Sequence, residues 1–162
     1  ESYEGTDDLA VEDIDYISVP APKIKLESLI PIEESECPLE HAKFIISGGR
    51  GIGGAAGFEK LSELASILKG AIGATRPAVD SGWVPSSAQV GITGKIVAPD
   101  LYIAVGISGS SQHLSGMSGS KKIVAVNSDS EAFIFKVSDY GVVGDWKEVI
   151  PALTSKLREL IS

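Results

Sequence analysis

The chain has 162 residues, 43% of them hydrophobic and 22% charged, which supplies apolar material for one sizeable core and excludes wholesale disorder. Its one cysteine, Cys37, excludes an internal disulfide, and with two histidines it makes a poor inventory for a structural zinc. Net charge is −8, but residues 1–40 hold 12 acidic against 2 basic side chains while residues 41–162 hold 10 against 12, so only the amino-terminal stretch repels a phosphate-bearing ligand.

In chain order, residues 1–10 are polar and acidic and read as a tail. Residues 14–19 and 23–30, split by Pro20 and Pro22, read as strand pieces, and residues 31–40, with Pro31, Pro38 and four glutamates, as a linker. The expected division is therefore tail, strand remnants and linker over 1–40 and one domain over 41–162. That domain opens with a buried strand at 42–47, stopped by Gly48 and Gly49. Phe58, Leu61, Leu64, Ala65 and Leu68 fall at helical spacing with Glu59, Lys60 and Glu63 outward, which predicts an amphipathic helix over 57–69 ended by Gly70. Strands are expected at 71–75, 101–107, 122–127 and 132–137, and a closing helix over 146–161, capped by Asp145 and with Pro151 in its first turns. Strands separated by helical or irregular crossovers predict an α/β domain with a mostly parallel sheet and helices on both faces.

Gly49, Gly51 and Gly54 spell G-x-G-x-x-G between a strand and a helix, the context in which glycines let backbone approach a phosphate at a helix start. The alternative is a tight turn with no ligand. A nicotinamide dinucleotide would want an acid about 20 residues on, and Asp80 lies too far, which weakens that reading. Arg50 inside the turn and Arg76, before Pro77 at an expected strand end, are candidate anion partners, each with a surface or ion-paired role as its alternative. Loops at 89–95, 108–113 and 127–129 add small hydroxyl residues and glycines, which offer many donors at little steric cost. His113 is the one histidine after residue 41, suited to donating a hydrogen bond or carrying a proton. Ser108 lacks the G-x-S-x-G elbow of a hydrolase. Lys and Arg do not cluster with aromatics, no run reaches the ~18 to 20 apolar residues of a membrane span, and the chain does not open on a signal-peptide pattern. Nucleic-acid binding and membrane insertion are accordingly not expected, and a reducing, intracellular setting is.

The motifs SGGRG at 47–51, GATR at 73–76, VGITGKIVAP at 90–99, LYIAVGISG at 101–109, QHLSGM at 112–117, IVAVN at 123–127 and VSDYG at 137–141 together resemble the carboxyl-terminal FAD-binding domain of electron transfer flavoprotein alpha subunits. The resemblance spans about 42–160, and residues 11–30 resemble the end of that family's amino-terminal domain. It implies a three-layer Rossmann-like domain of the deoxyhypusine-synthase-like NAD/FAD-binding kind, holding FAD in an extended groove closed by a beta subunit in a heterodimer. It also implies an electron carrier rather than a substrate-converting enzyme, taking electrons from flavoprotein dehydrogenases, such as the acyl-CoA dehydrogenases of fatty acid β-oxidation, to a membrane quinone reductase or other acceptor. Some members bifurcate electrons from NADH. The implied setting is the cytoplasm, or the mitochondrial matrix in a eukaryote.

By the same resemblance, Arg50 and the loop of Ser108, Gly109, Ser110, Ser111, Gln112 and His113 line the cofactor, Thr75 takes the place of a usual serine, and Arg76 lies against the flavin ring. Val90, Gly91, Ile92 and Thr93 form the flavin-edge loop. Thr93 would donate toward the N5 and O4 edge and His113 toward O2. Asn127, Asp145 and Trp146 match positions at the adenosine end. Two departures stand out: Ile92 where the family usually has glutamine, and Ser111 where it has an aliphatic residue. Ile92 has no side-chain donor. The competing readings are a nucleotide-binding domain of a nicotinamide-dependent dehydrogenase, which NADH addition separates, and a flavin-free interaction module, which flavin content separates.

Overall fold

A computed structural model describes residues 38–161; the tail, the strand pieces at 14–19 and 23–30, and linker residues 31–37 lie outside them. Five strands, β1 (Phe44–Gly48), β2 (Ala71–Ala74), β3 (Leu101–Val105), β4 (Ile123–Asn127) and β5 (Tyr140–Val143), are each followed by one of four helices, α1 (Ala55–Leu68), α2 (Arg76–Asp80), α3 (Ser111–Met117) and α4 (Trp146–Ile161), except that β4 leads to β5 through a 3-10 turn. The sheet order is β2-β1-β3-β4-β5 with every neighbouring pair parallel. From β1 the chain first winds outward to β2 and then crosses back to place β3 on the other side of β1. The topological switch therefore lies between β1 and β3, where open α/β sheets bind ligands beyond the carboxyl ends of their strands.

Side-chain alternation along the strands divides the core in two. Ile46, Ile103, Val105 and Val126 face Phe58, Leu61, Leu64 and Ala65 of α1 and Ile150 of α4. Ile45, Tyr102, Ala104 and Ala125 face Met117 of α3, together with Leu39, Ala132 and Ile134. Each fully buried aliphatic side chain contributes about 1.5 to 3 kcal/mol, which fixes the helical layers on both faces. The result is the three-layer Rossmann-like α/β domain expected. Among the described residues, no helix is long and apolar enough to cross a membrane.

Besides the short helices α2 and α3, which the sequence reading did not mark, three elements differ from it. α1 starts at Ala55 and is closed by Lys69, which takes the left-handed conformation at φ 52° while Gly70 N–H donates to Ala65 O. Gly70 is needed instead because a Cβ there would lie 2.6 Å from Phe44 O on β1. The strand expected at 132–137 is a 3-10 turn, Phe133–Lys136, held by Ile134 N–H donating to Ser108 O; Ala132 and Ile134 are buried while Phe133 is exposed, an alternation that imitates a strand. The fifth strand is β5, whose side chains are all exposed and so give no burial signal.

Candidate functional site

The parallel sheet carries every strand exit to one edge, so the loops singled out in the sequence converge there. Gly49 and Gly51 follow β1, and both make close contact with backbone rather than open a cradle. Their N–H groups donate to Val105 O at 2.9 Å and Gly106 O at 3.0 Å, and a Cβ on Gly49 or Gly51 would lie 2.3 or 2.9 Å from Gly106 O. These two glycines close the β1 and β3 exits onto each other at the switch point. Gly53 and Gly54, by contrast, meet nothing within 4 Å of a built Cβ and leave the α1 start open. Arg50 is exposed beside them.

At the β2 exit, Thr75 is only 7% exposed, and its hydroxyl has no hydrogen-bond partner among the described residues. Burying an unsatisfied hydroxyl costs about 1 to 3 kcal/mol, and the residue occupies the cap position of α2 without capping it through its side chain. Arg76 follows, and its guanidinium pairs with Asp80 at 3.4 Å, both side chains largely exposed. Such a pair is worth about 0 to 1 kcal/mol, a weak hold on the cation.

The loop 89–95 is tightly closed. Gly91 N–H donates to Lys95 O, Gly94 N–H to Gly91 O, and Lys95 N–H to Gln89 O. It is pinned to α3, since Ile92 N–H donates to Gln112 O at 2.9 Å, and a Cβ on Gly116 would lie 2.3 Å from Gly91 N. Gly91 itself sits at φ 144° with Val90 buried beside it. At the tip Ile92 is 64% exposed, its N–H already spent. Thr93 is exposed too, and its hydroxyl accepts a hydrogen bond from the Gln89 side-chain amide at 2.9 Å.

The stretch 108–113, read as one loop, is an irregular segment over Ser108–Ser110 followed by α3. Gly109 takes φ 90° where a Cβ would strike Ile134 N. Ser108, Ser110, Ser111 and Gln112 are exposed along this edge. His113 points the other way: it is 4% exposed, with Nδ1 3.0 Å from Val90 O and Nε2 3.0 Å from the Tyr102 hydroxyl. A carbonyl only accepts, so Nδ1 carries the proton and Nε2 accepts from Tyr102. Burial pushes the His113 pKa down to about 4, partly offset by the Val90 bond. In this arrangement the neutral ring has no N–H left to offer a ligand. Burial also pushes the Tyr102 phenol up. Ser47 lies near enough to favour the charged phenolate, yet its buried hydroxyl has no hydrogen-bond partner among the described residues. Tyr102 was not singled out from sequence, and Gln89 only as the first residue of the loop 89–95; the polar atom that Tyr102 carries on a buried strand is the signal that could have flagged it.

At the far side Asn127 joins two exits, its amide donating to Ile107 O at 2.9 Å while Oδ1 accepts from Asp129 N–H. Asp145 caps α4 as expected, with Oδ1 accepting from Lys147 N–H at 2.9 Å. The Trp146 indole donates to Gly51 O at 3.2 Å, which ties the α4 start to the glycine turn. Next to it a pocket of about 360 Å³ is lined by residues including Ile52, Gly54, Lys60, Trp146 and Pro151.

An all-parallel sheet with its switch point and its hydroxyls, cations and glycine turns on the carboxyl edge defines a nucleotide-cofactor-binding domain. Comparison with known proteins identifies which. Residues 38–118, half of the chain, match the family model described as the electron transfer flavoprotein FAD-binding domain. The chain is 51% identical over 138 residues to the electron transfer flavoprotein subunit alpha of Thermoanaerobacterium thermosaccharolyticum, covering 85% of this chain and 42% of the relative. It is 47% identical to the subunit alpha of Bacillus subtilis, covering 93% and 46%, and 55% identical to the mitochondrial subunit alpha of Dictyostelium discoideum, covering 84% and 38%. The chain belongs to the electron transfer flavoprotein FAD-binding domain family, and it spans less than half the length of these curated relatives.

The residues present fit FAD. Thr75 offers a buried hydroxyl that nothing among the described residues satisfies, Arg76 is a loosely held cation, and Thr93 has an exposed hydroxyl.

Proposed function

We propose that residues 41–162 hold FAD along the carboxyl edge of the sheet and that the protein carries electrons from flavoprotein dehydrogenases, acyl-CoA dehydrogenases among them, to a quinone reductase or other acceptor. Residues 1–40 are, on this reading, a tail, the end of an amino-terminal domain and a linker. A beta subunit completes a heterodimer, in the cytoplasm or a mitochondrial matrix. The observation that carries the reading is Thr75, whose buried hydroxyl lacks a partner at the exit of β2.

FAD when bound supplies the redox chemistry; the chain's residues bind and tune it. Thr75 and the serines at 108, 110 and 111 donate to the cofactor's polar oxygens, with Arg50, Gly109 and Gln112 beside them. Arg76 places a positive charge toward the ring edge where reduction concentrates negative charge, which favours the reduced forms. Val90, Gly91 and Ile92 shape the flavin-edge loop and Thr93 donates from its tip, while Asn127, Asp145 and Trp146 take the adenosine end. His113 donates only after it accepts a second proton, because its Nδ1 proton is held by Val90 O and Nε2 is an acceptor.

The deciding experiment is an absorption spectrum of the purified chain after FAD addition and removal of excess, without and with the beta subunit. Bound flavin at a ratio near one is the expected result. A colourless protein in both arms defeats the reading. With flavin bound, Arg76→Ala should lower its reduction potential by an amount equivalent to about 1 to 4 kcal/mol, the interaction of unit charges a few ångströms apart near a protein surface; spectroelectrochemistry measures it, and an unchanged potential removes Arg76 from the role.

A further inference from the structure

Thr93 is the tip donor of the flavin-edge loop, yet a hydroxyl rotates freely and can as well turn its hydrogen back toward the protein. The structure holds a device against that. The Gln89 amide nitrogen donates to Thr93 Oγ1 at 2.9 Å, occupying the oxygen from the protein side and leaving the hydroxyl proton to be directed elsewhere. Gln89 is 9% exposed and its backbone is fixed at both ends. Its N–H donates to Ser86 O at 3.0 Å and its carbonyl accepts from Lys95 N–H at 2.7 Å, while a parallel bridge joins it to Ala74 at the end of β2. Gly94 packs on it so closely that a Cβ would lie 2.4 Å from Gln89 O and 2.8 Å from Gln89 Cγ, so the side chain has little room to leave Thr93.

We propose that Gln89 is a positioning residue that sets Thr93 as an outward hydrogen-bond donor, so that the loop meets a ring acceptor with its proton already aimed. The inference rests on the FAD reading above and adds to it the residue that decides the polarity of the contact. It also gives a reason why Ile92, with no side-chain donor and its N–H given to Gln112 O, leaves the loop functional: the donor is Thr93, and its orientation is set from the opposite side.

Gln89→Glu keeps the shape and reverses the polarity, because a carboxylate can only accept, and it draws the Thr93 proton inward. Gln89→Met removes the bond without adding charge. Both are measured, with Thr93→Val and the two double variants, for FAD dissociation constant and for flavin reduction potential in the complex with the beta subunit. The expected result is a weakening of FAD binding by about three- to tenfold in Gln89→Met, the range of one hydrogen bond, and a potential shifted the same way as in Thr93→Val. In the Thr93→Val background Gln89→Met should then change neither quantity, and Gln89→Glu should retain only the effect of its charge. Wild-type binding with an unchanged Gln89→Met overturns the positioning role and leaves the FAD reading standing. Equal effects of Gln89→Met with and without the Thr93 hydroxyl overturn it too, since they mark a merely structural residue. If wild type retains no FAD with the beta subunit present, the FAD reading falls and this inference with it.

Discussion

His113 shows how burial chooses a side chain's chemistry. Exposed, an imidazole titrates near 6.5; here burial lowers the value to about 4, and Val90 O and the Tyr102 hydroxyl use both ring nitrogens. Because the folded pKa is the lower one, the unfolded chain takes up the proton first as pH falls. The histidine therefore imposes no penalty above about pH 6.5 and a full one below about pH 4, amounting to roughly 3 kcal/mol. His113→Gln, which can still bond both partners, should remove that component. Urea unfolding at pH 7.5 and 4.5 tests it: wild type is expected to lose about 2 to 3 kcal/mol more than the variant, and parallel losses would show that the ring titrates normally. Nitrogen chemical shifts of the ring should report a neutral Nδ1–H tautomer at pH 6. In the sequence, His113 was legible as a donor candidate because it stands in a polar segment. Its inward orientation was not, because Tyr102 reads as one more large residue of a buried strand until β3 and α3 are brought together.

At the scale of elements, the flavin-edge loop and α3 are held by backbone against backbone. Gly116 lies on α3 where a Cβ would come 2.3 Å from Gly91 N and 2.5 Å from Gly91 Cα, and Val97 N–H donates to Gly116 O at 2.7 Å. Neither neighbour is a flexible side-chain end, so Gly116→Ala must push the loop off the helix, at the 1 to 3 kcal/mol typical of overpacking. Thermal unfolding measures the cost. Faster hydrogen exchange at Gly91, Ile92 and Gly94 should accompany it, and an unchanged exchange pattern would mean that the loop is held elsewhere. The main strands were legible as short apolar runs of the kind that parallel strands buried on both faces carry, and the two long helices because their apolar residues recur at the helical period. The short helices α2 and α3 were not, since five and seven residues give too few turns to display a period. The fifth strand was misplaced because the turn at Phe133–Lys136 alternates buried and exposed residues. The true strand β5 carries Gly141 under Phe135, with a built Cβ only 2.7 Å from its ring. The glycine fingerprint was legible as a motif, but the work of Gly49 and Gly51 against Gly106 needs the third strand, which lies about fifty residues downstream and leaves no trace in the local pattern.

At the scale of the molecule, the proposed site draws one segment from each of the five strand exits, so no part of it survives loss of the sheet. A ligand held there binds the folded state alone and must stabilise the whole domain by mass action. At one hundred times its dissociation constant FAD adds about 2.7 kcal/mol, which for a domain of this size corresponds to a rise in melting temperature of about 10 °C. The competing nicotinamide reading makes the opposite demand, a rise with NADH and none with FAD. Parallel melts of the chain with each dinucleotide, in the presence of the beta subunit, therefore separate the two by whether FAD raises the melting temperature. A shift with FAD that shrinks in Thr75→Val would place the stabilisation at the β2 exit, where the buried hydroxyl gains its partner. Thr75→Val alone, in the absence of FAD, should leave the melting temperature unchanged or raise it, because the substitution removes an unsatisfied polar group at nearly constant volume. A Thr75→Val domain that melts lower without FAD would mean that the hydroxyl already has a partner within the protein, and the argument for a ligand at that position would fail.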